Sequence, residues 1–360
     1  MIARRRTRQI FVGPVPIGGG APIAVQSMTN TDTRDVEATI AQVNALQGAG
    51  AEIVRLAVVD AAAAAALKEI VKRTSVPLVA DIHFDYRLAL ASLEAGVAML
   101  RINPGNIGSR ERTQAVVRAC AERRVPIRIG INTGSLEKRL LEKYGGATPE
   151  AMVESALDHV ALLEDMDFRL IKVSLKASDV PRTIAANRLF SARSDIPLHL
   201  GITEAGTLLN GAVRSAVGLG ILLHEGIGDT IRVSLTGDPT PEVKVGWEIL
   251  KSLGLRQRGI TITSCPNCGR LEQPIEEVIA DIEAAFGKSE LRLHLAVMGC
   301  SVNGPGESRQ ADLGVIAARD GFLLYKQGEY WKKVTRDEVV PSVREALAEW
   351  PAANHETDKE

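Results

Sequence analysis

From about residue 22 to about residue 255, short β-rich runs alternate with helix-patterned segments, and the alternation occurs eight times. This repeat constrains the fold more than any other feature of the chain. The runs are "PIAVQSM" (22–28), "EIVRLAV" (52–58), "PLVADIH" (77–83), "AMLRINP" (98–104), "PIRIGIN" (126–132), "RLIKVSLK" (169–176), "PLHLGIT" (197–203) and "TIRVSLT" (230–236). Each has the length and β-branched character of a buried strand. The segments between them read as helices. "RDVEATIAQVNALQGAG" places Val36, Ile40, Val43 and Leu46 at helical spacing and then stops at glycines. "DAAAAAALKEIVKR" is alanine-rich with a basic end. Eight βα units predict a closed (β/α)8 barrel of the TIM type. A doubly wound open sheet is the alternative, but no glycine fingerprint for a dinucleotide supports it.

After "KSLGLRQRGITIT" (251–263) the rhythm changes. There follow a helix pattern at 274–287, a strand "LRLHLAVMG" (291–299), a strand "DLGVIAA", its hairpin partner "GFLLYKQGEYWKKV" and a helix "RDEVVPSVREALAEW". The expected organisation is a barrel over 1–255, a small α/β domain over 256–350 and a flexible polar tail over 351–360.

Composition narrows the function classes. An apolar fraction of 45% supplies a sizeable core, and a net charge of −1 provides no field toward nucleic acid or membrane. Aromatics at 4% argue against stacked-base recognition. No apolar run approaches the roughly 18 residues of a membrane span. The start, "MIARRRTRQIFVG", is basic without a following apolar h-region. It reads as a first strand rather than a secretory signal, which predicts a cytoplasmic protein.

Function in such a barrel is read at the C-terminal ends of its strands. Successive strand residues alternate faces, so Arg101 and Asn103 share a row, as do Arg128 and Asn132 with Gly130 between them. Lys172, Ser174 and Lys176 share another, and Arg232 and Ser234 a fourth. Asp81 and His83 end the third strand, Arg55 lies within the second, and Glu204 directly follows the seventh. Some of these side chains could instead point outward into salt bridges, but their recurrence follows the strand period. Inside the barrel, six cations (Arg55, Arg101, Arg128, Lys172, Lys176 and Arg232) exceed what Asp81 and Glu204 can balance. A polyanion resolves the excess, and arginine forks suit phosphate oxygens, so a ligand with two phosphates is expected. Lys176, nearer the strand end, is preferred over Lys172 as the main phosphate contact.

Four cysteines in 360 residues are no disulfide framework. Cys120, on an apparent helix, reads as a buried inert thiol. The other three cluster. Cys265-x2-Cys268 in "SCPNCGR" suits a zinc ribbon, an iron–sulfur site or a redox dithiol. A zinc ribbon wants a second such pair, yet only Cys300 follows, 32 residues after Cys268. His294, six residues before Cys300, has no ligand-type spacing. Glu307, seven residues past Cys300, is the nearest fourth donor. Oxygen is unusual on a cluster but suits an iron that must release its ligand. Otherwise Glu307 is an ordinary surface carboxylate.

"SCPNCGR", "LAVMGCSVNGPGES" and "ADLGVIA" resemble the cluster domain of the 4-hydroxy-3-methylbut-2-enyl diphosphate synthases, the iron–sulfur enzymes of the methylerythritol phosphate route to isoprenoids. "VQSMTNTDT", "ADIHFDYRLA", "LRINPGNIG", "IRIGINTGSL", "KVSLKASD", "LHLGITEAG" and "IRVSLTGDP" are similar to that family's barrel segments, so the resemblance runs over nearly the whole chain. It implies a [4Fe–4S] cluster on Cys265, Cys268, Cys300 and Glu307, with Asn303 touching substrate. It also implies reductive opening and dehydroxylation of 2-C-methyl-D-erythritol 2,4-cyclodiphosphate. The substrate would be held by Arg55, Asp81, His83, Arg101, Asn103, Arg128, Asn132, Lys176, Arg232 and Ser234. Glu204 would donate the proton to the departing hydroxyl. Flavodoxin or ferredoxin would donate electrons, and a head-to-tail homodimer would bring one chain's cluster to the other's barrel. Two readings of other classes compete. One is a non-redox lyase or transferase resembling dihydropteroate synthase with a structural zinc ribbon. The other is an iron–sulfur carrier or sensor, which would need no row of barrel cations.

Overall fold

The structure, a computed structural model, describes residues 2–103, 107, 109–287, 289 and 291–350, so the expected tail over 351–360 lies outside the described residues. The chain forms two compact units that divide between Arg256 and Gln257.

The first unit opens with an antiparallel hairpin, β1 (Ile10–Val12) and β2 (Val15–Ile17), turned at Gly13 with φ +57°. Eight parallel strands follow: β3 (Ala24–Met28), β4 (Ile53–Ala57), β5 (Leu78–Asp81), β6 (Met99–Ile102), β7 (Ile127–Asn132), β8 (Ile171–Lys176), β9 (His199–Leu200) and β10 (Thr230–Ile231). Each lies inside one of the eight expected runs. The sheet runs β8-β7-β6-β5-β4-β3-β10-β9, and a parallel bridge between Val173 and Leu198 brings its two ends together. Although β9 and β10 are short, the wall continues beyond them, where the Arg232 N–H donates to the Leu200 carbonyl at 2.9 Å. The start of the chain, expected as a first strand, forms its own two-stranded sheet outside the barrel. Ile10, Val12 and Ile17 pack on Ala24, Ile53, Val79 and Met99 at the strand starts and close that end with apolar contacts.

Among the described residues, nine α-helices surround the barrel: α1 (Val36–Ala49), α2 (Ala61–Arg73), α3 (Tyr86–Glu94), α4 (Arg110–Arg123), α5 (Lys138–Tyr144), α6 (Pro149–Glu164), α7 (Val180–Ser191), α8 (Leu208–His224) and α9 (Thr240–Ser252). Their starts are written locally. Asp35, Asp60, Asp85 and Asp179 each accept a first-turn backbone N–H of α1, α2, α3 and α7. Alternate strand residues such as Val54, Leu56, Ile129 and Val173 pack outward on helix residues such as Leu46, Leu67 and Phe190. That leaves the other row for the barrel interior.

The second unit is a five-stranded sheet in sequence order: β11 (Ile260–Ser264), β12 (Leu293–Met298), β13 (Leu313–Ala318), β14 (Gly321–Lys326) and β15 (Glu329–Val334). The first three strands are parallel and the last two antiparallel. Helices α10 (Glu276–Phe286) and α12 (Val339–Ala348) cover one face through Val278, Ile282, Val339 and Val343. A short α11 (Gly304–Ser308) joins β12 to β13. The strand β11 was not expected, because "ITITS" carries no strong apolar pattern and sits half-exposed at the sheet edge. Among the described residues no helix is long and apolar enough to cross a membrane.

Candidate active site

Side chains that cannot point at the helices fill the barrel at the C-terminal ends of its strands. There they enclose a cavity of about 210 Å³. Nine of its lining residues are expected ones: Arg55, Asp81, His83, Arg101, Arg128, Asn132, Lys176, Arg232 and Ser234. Ser174 and Thr203 complete it. Ser174 was readable from its place in the Lys172–Lys176 row, whereas Thr203 gave no signal. Three expected residues stand elsewhere. Asn103 is buried without lining the cavity, and its Oδ1 has no partner in the described structure. Lys172 is fully buried and also off the lining, so Lys176 is the lysine of this strand that reaches the cavity. Glu204 is exposed in the loop after β9, with φ +54°.

Asp81 organises the cations. It accepts from Arg101 Nη1 at 3.0 Å and stands 3.5 Å from both Arg55 Nε and His83 Nε2. Burial pushes its carboxyl up, but the charges of Arg55, Arg101 and Arg128 outweigh burial and bring it down to about 2. Burial lowers Arg55 to about 10 despite Asp81, and the Arg55 guanidinium also donates to the Met28 thioether at 2.8 and 3.1 Å. Arg128 and Lys176 fall well below their ordinary values, first through burial and then through neighbouring cations. His83 is lowered by burial, with Arg101 and Arg55 opposing the help of Asp81.

Glu242 went unnoticed in the sequence. It stands in the first turn of α9 and is 3% exposed. Its carboxylate accepts from the Leu235 N–H at 2.8 Å and from Arg232 Nη2 at 3.4 Å. No motif marks it, since "TPEVKVGW" reads as an ordinary helix start. Even with Glu242 added, five cations face two carboxylates around the cavity. The Nε atoms of Arg101, Arg128 and Arg232, and Nη1 of Arg128, are buried and unpartnered in the described structure. Such donors are costly unless a ligand accepts from them. The geometry therefore suits a compact polyanion.

The second unit gathers the three clustered cysteines near the C-terminal ends of the neighbouring strands β11 and β12. The Cys265 sulfur accepts from the Gly299 N–H at 3.2 Å, beside Cys300. Arg270 hydrogen-bonds Cys268 and lowers its thiol, and the same guanidinium interacts with Cys300. Cys268 is exposed and Cys300 buried. The turn after Cys300 is tight for a steric reason. A Cβ at Gly304 would lie 2.4 Å from Ile316, so glycine lets α11 press on β13. Asn303 and Glu307 stand exposed on this turn, at the start of and within α11. Among the described residues no three His, Cys, Asp or Glu side chains close on a single ion. Three thiols and a carboxylate suit a four-iron cluster, which takes one ligand per iron and spreads its ligands wider than one ion would. Cys120 is elsewhere, buried on α4, its thiol pushed up to about 12 by burial.

The family profile "GcpE TIM-barrel domain" matches residues 7–247, and "GcpE protein C-terminal domain" matches 261–349. The chain is 57% identical to a 4-hydroxy-3-methylbut-2-en-1-yl diphosphate synthase (flavodoxin) of Geobacter sulfurreducens, covering 96% of this chain and 99% of that protein. It is 59% identical to the enzyme of the same name from Maridesulfovibrio salexigens, covering 94% of each. Among solved structures, dihydropteroate synthase of Yersinia pestis aligns with a TM-score of 0.50 at 12% identity, over 68% of this chain and 98% of that one. That likeness shows the barrel fold and carries no activity across.

Proposed function

The chain belongs to the GcpE family, and on that premise we infer that it is a 4-hydroxy-3-methylbut-2-en-1-yl diphosphate synthase that draws electrons from flavodoxin. Its substrate in this reading is 2-C-methyl-D-erythritol 2,4-cyclodiphosphate. The observation that carries the reading is the cavity, where Arg55, Arg101, Arg128, Lys176 and Arg232 outnumber Asp81 and Glu242. A cyclic diphosphate supplies the missing charge. Ring opening breaks a carbon–oxygen bond and leaves one more negative charge on the diphosphate, which the preorganised guanidinium groups stabilise as it forms.

Cys265, Cys268, Cys300 and Glu307 would hold a [4Fe–4S] cluster, which would supply two electrons, one at a time, and Lewis acidity toward a substrate oxygen. The chain's own groups do the rest. Asn132, Ser174 and Ser234 offer polar contacts at the cavity wall, and Asn303 is assigned a substrate contact by family resemblance; Asn103, expected from the row it shares with Arg101, is buried off that wall. Glu204 is assigned the proton that lets the substrate hydroxyl leave as water. Its loop follows β9 at the mouth, and its exposure allows it to exchange protons with solvent.

We place the protein in a reducing, cytoplasmic compartment, since its cysteine ligands must stay thiolates. We further propose a head-to-tail homodimer in which one chain presents Arg101, Arg128, Lys176 and Arg232 and its partner presents its own Asn303 and Glu307. Co-expression of an Arg128 variant with a Glu307 variant should then restore part of the activity, and no restoration would count against shared sites. The reading as a whole is tested by anaerobic purification, metal analysis and turnover of the cyclodiphosphate with reduced flavodoxin. A colourless protein with one zinc per chain after reconstitution would overturn it.

A further inference from the structure

The inward row of β7 reads Arg128, Gly130, Asn132, and its middle position carries no side chain. Nothing conformational asks for glycine there, since Gly130 has ordinary strand backbone rather than a left-handed one. The space its side chain would fill is taken by a guanidinium. A Cβ at Gly130 would lie 2.5 Å from Arg101 Nε, 2.7 Å from Nη2 and 3.0 Å from Cζ. Arg101 reaches over from β6, and its Nη2 donates to the Gly130 carbonyl at 3.4 Å. From that seat Nη1 reaches Asp81 at 3.0 Å and the His83 ring at 3.1 Å. The same device recurs on β9's continuation, where a Cβ at Gly201 would lie 2.5 Å from Lys176 Nζ.

We propose that Gly130 is a positioning residue: its absent side chain is the socket that lays the Arg101 guanidinium across the barrel, between Asp81 and the cavity. A second, independent socket at Gly201 seats the Lys176 ammonium. The two glycines thus set where the diphosphate's charge is met, although neither offers a group to the substrate. A methyl at 130 must push the guanidinium off the carbonyl of Gly130 and out of reach of Asp81. The only atoms it crowds within 3.0 Å belong to that one side chain. A methyl at 201 would also press on the Arg232 backbone carbonyl at 2.6 Å, so Gly201→Ala can fail through folding. Gly130→Ala therefore carries the test.

The inference rests on the synthase reading, and the experiment separates the two. Gly130→Ala should melt within about 5 °C of the parent protein, because alanine suits a strand at least as well as glycine. Its kcat/KM for the cyclodiphosphate should fall at least about tenfold, mostly through KM. Calorimetric affinity for inorganic diphosphate should fall in parallel. In an Arg101→Ala background the same change should add no more than about twofold, because the residue it acts through is gone. Wild-type affinity in Gly130→Ala would overturn the socket, as would losses that multiply in the double variant. If the parent protein turned over no cyclodiphosphate, the synthase reading would fall, and the diphosphate titrations would still decide the socket.

Discussion

Arg232 Nη2 lies 3.4 Å from both carboxylate oxygens of Glu242, so a carboxylate at the start of α9 holds a cation that directly follows strand β10. The same carboxylate accepts the Leu235 N–H and a hydrogen bond from Ser27 at 3.4 Å. It ties the β10 loop to β3 and leaves Arg232 Nε for a ligand. Burial raises its carboxyl, with Arg232 opposing.

Glu242→Gln keeps the shape and an acceptor for Leu235 but removes the charge facing Arg232. The expected cost is about 1–3 kcal/mol of folding stability, with a raised KM and a smaller change in kcat. Denaturant melts and steady-state kinetics measure both. A variant with unchanged KM would show that Arg232 needs no such anchor.

Asp81 is the shared counter-charge of Arg55 and Arg101, so its loss leaves both buried and short of an anion. Asp81→Asn should destabilise the barrel by roughly 3 kcal/mol or more. The carboxyl sits at about 2 in the fold against an ordinary 3.8. A depressed carboxyl stabilises above its unfolded value, and that contribution is lost as pH falls through its folded one. The stability gap between parent and variant should therefore be full above about pH 4 and shrink toward pH 2. A gap that stayed constant across that window would contradict the assignment.

Lys176 is held well below its ordinary value by burial and by the charges of Arg128 and Arg232. A bound diphosphate reverses that environment and favours the ammonium. Binding should accordingly take up protons at pH values between those of the free site and of the complex, and affinity should weaken as pH rises through the free site's value. Calorimetry in buffers of differing protonation enthalpy reads the uptake directly. The uptake should diminish in Lys176→Met. Heats independent of buffer would remove Lys176 from this role.

Cys265, Cys268 and Cys300 should each be needed for the cluster, and Cys120 should not. The parent protein should carry about four iron per chain after anaerobic reconstitution. Serine at any of the three clustered positions should abolish or sharply reduce iron content and visible absorbance. Cys120→Ala should leave both intact, since that thiol is buried among the barrel helices. Full iron in Cys268→Ser would break the proposed ligand set.

Glu204→Gln should spare cluster reduction and diphosphate affinity while slowing turnover at least about tenfold. Stopped-flow reduction and calorimetry, set beside turnover, separate these steps. Unchanged turnover would free Glu204 from proton delivery and return attention to the groups inside the cavity.

Much of this protein follows from local patterns. Eight β-rich runs at βα spacing specify a barrel because parallel strands need a crossover between each pair. Helix starts are marked by Asp35, Asp60, Asp85 and Asp179, whose carboxylates each accept an N–H of their own first turn. Period-two rows of Arg, Lys and Asn announced which strand faces turn inward, because alternation is a property of the strand itself. The cysteine spacing and the "SVNGPGES" loop marked the second unit in the same local way.

Tertiary structure decided what depends on groups far apart in the chain. Glu242 meets Ser27 across 215 residues, and no motif can announce such a meeting. The first strand-like segment became an end plug because Ile10, Val12 and Ile17 find a ring of strand starts to cover. Lys172 and Lys176 share one row, yet only Lys176 reaches the cavity, because the barrel's depth decides which layer meets solvent. In the sequence Gly130 is simply the residue between Arg128 and Asn132 in their row. It is a gap that another strand's arginine fills, and steric exclusion of that kind exists only once the strands are side by side.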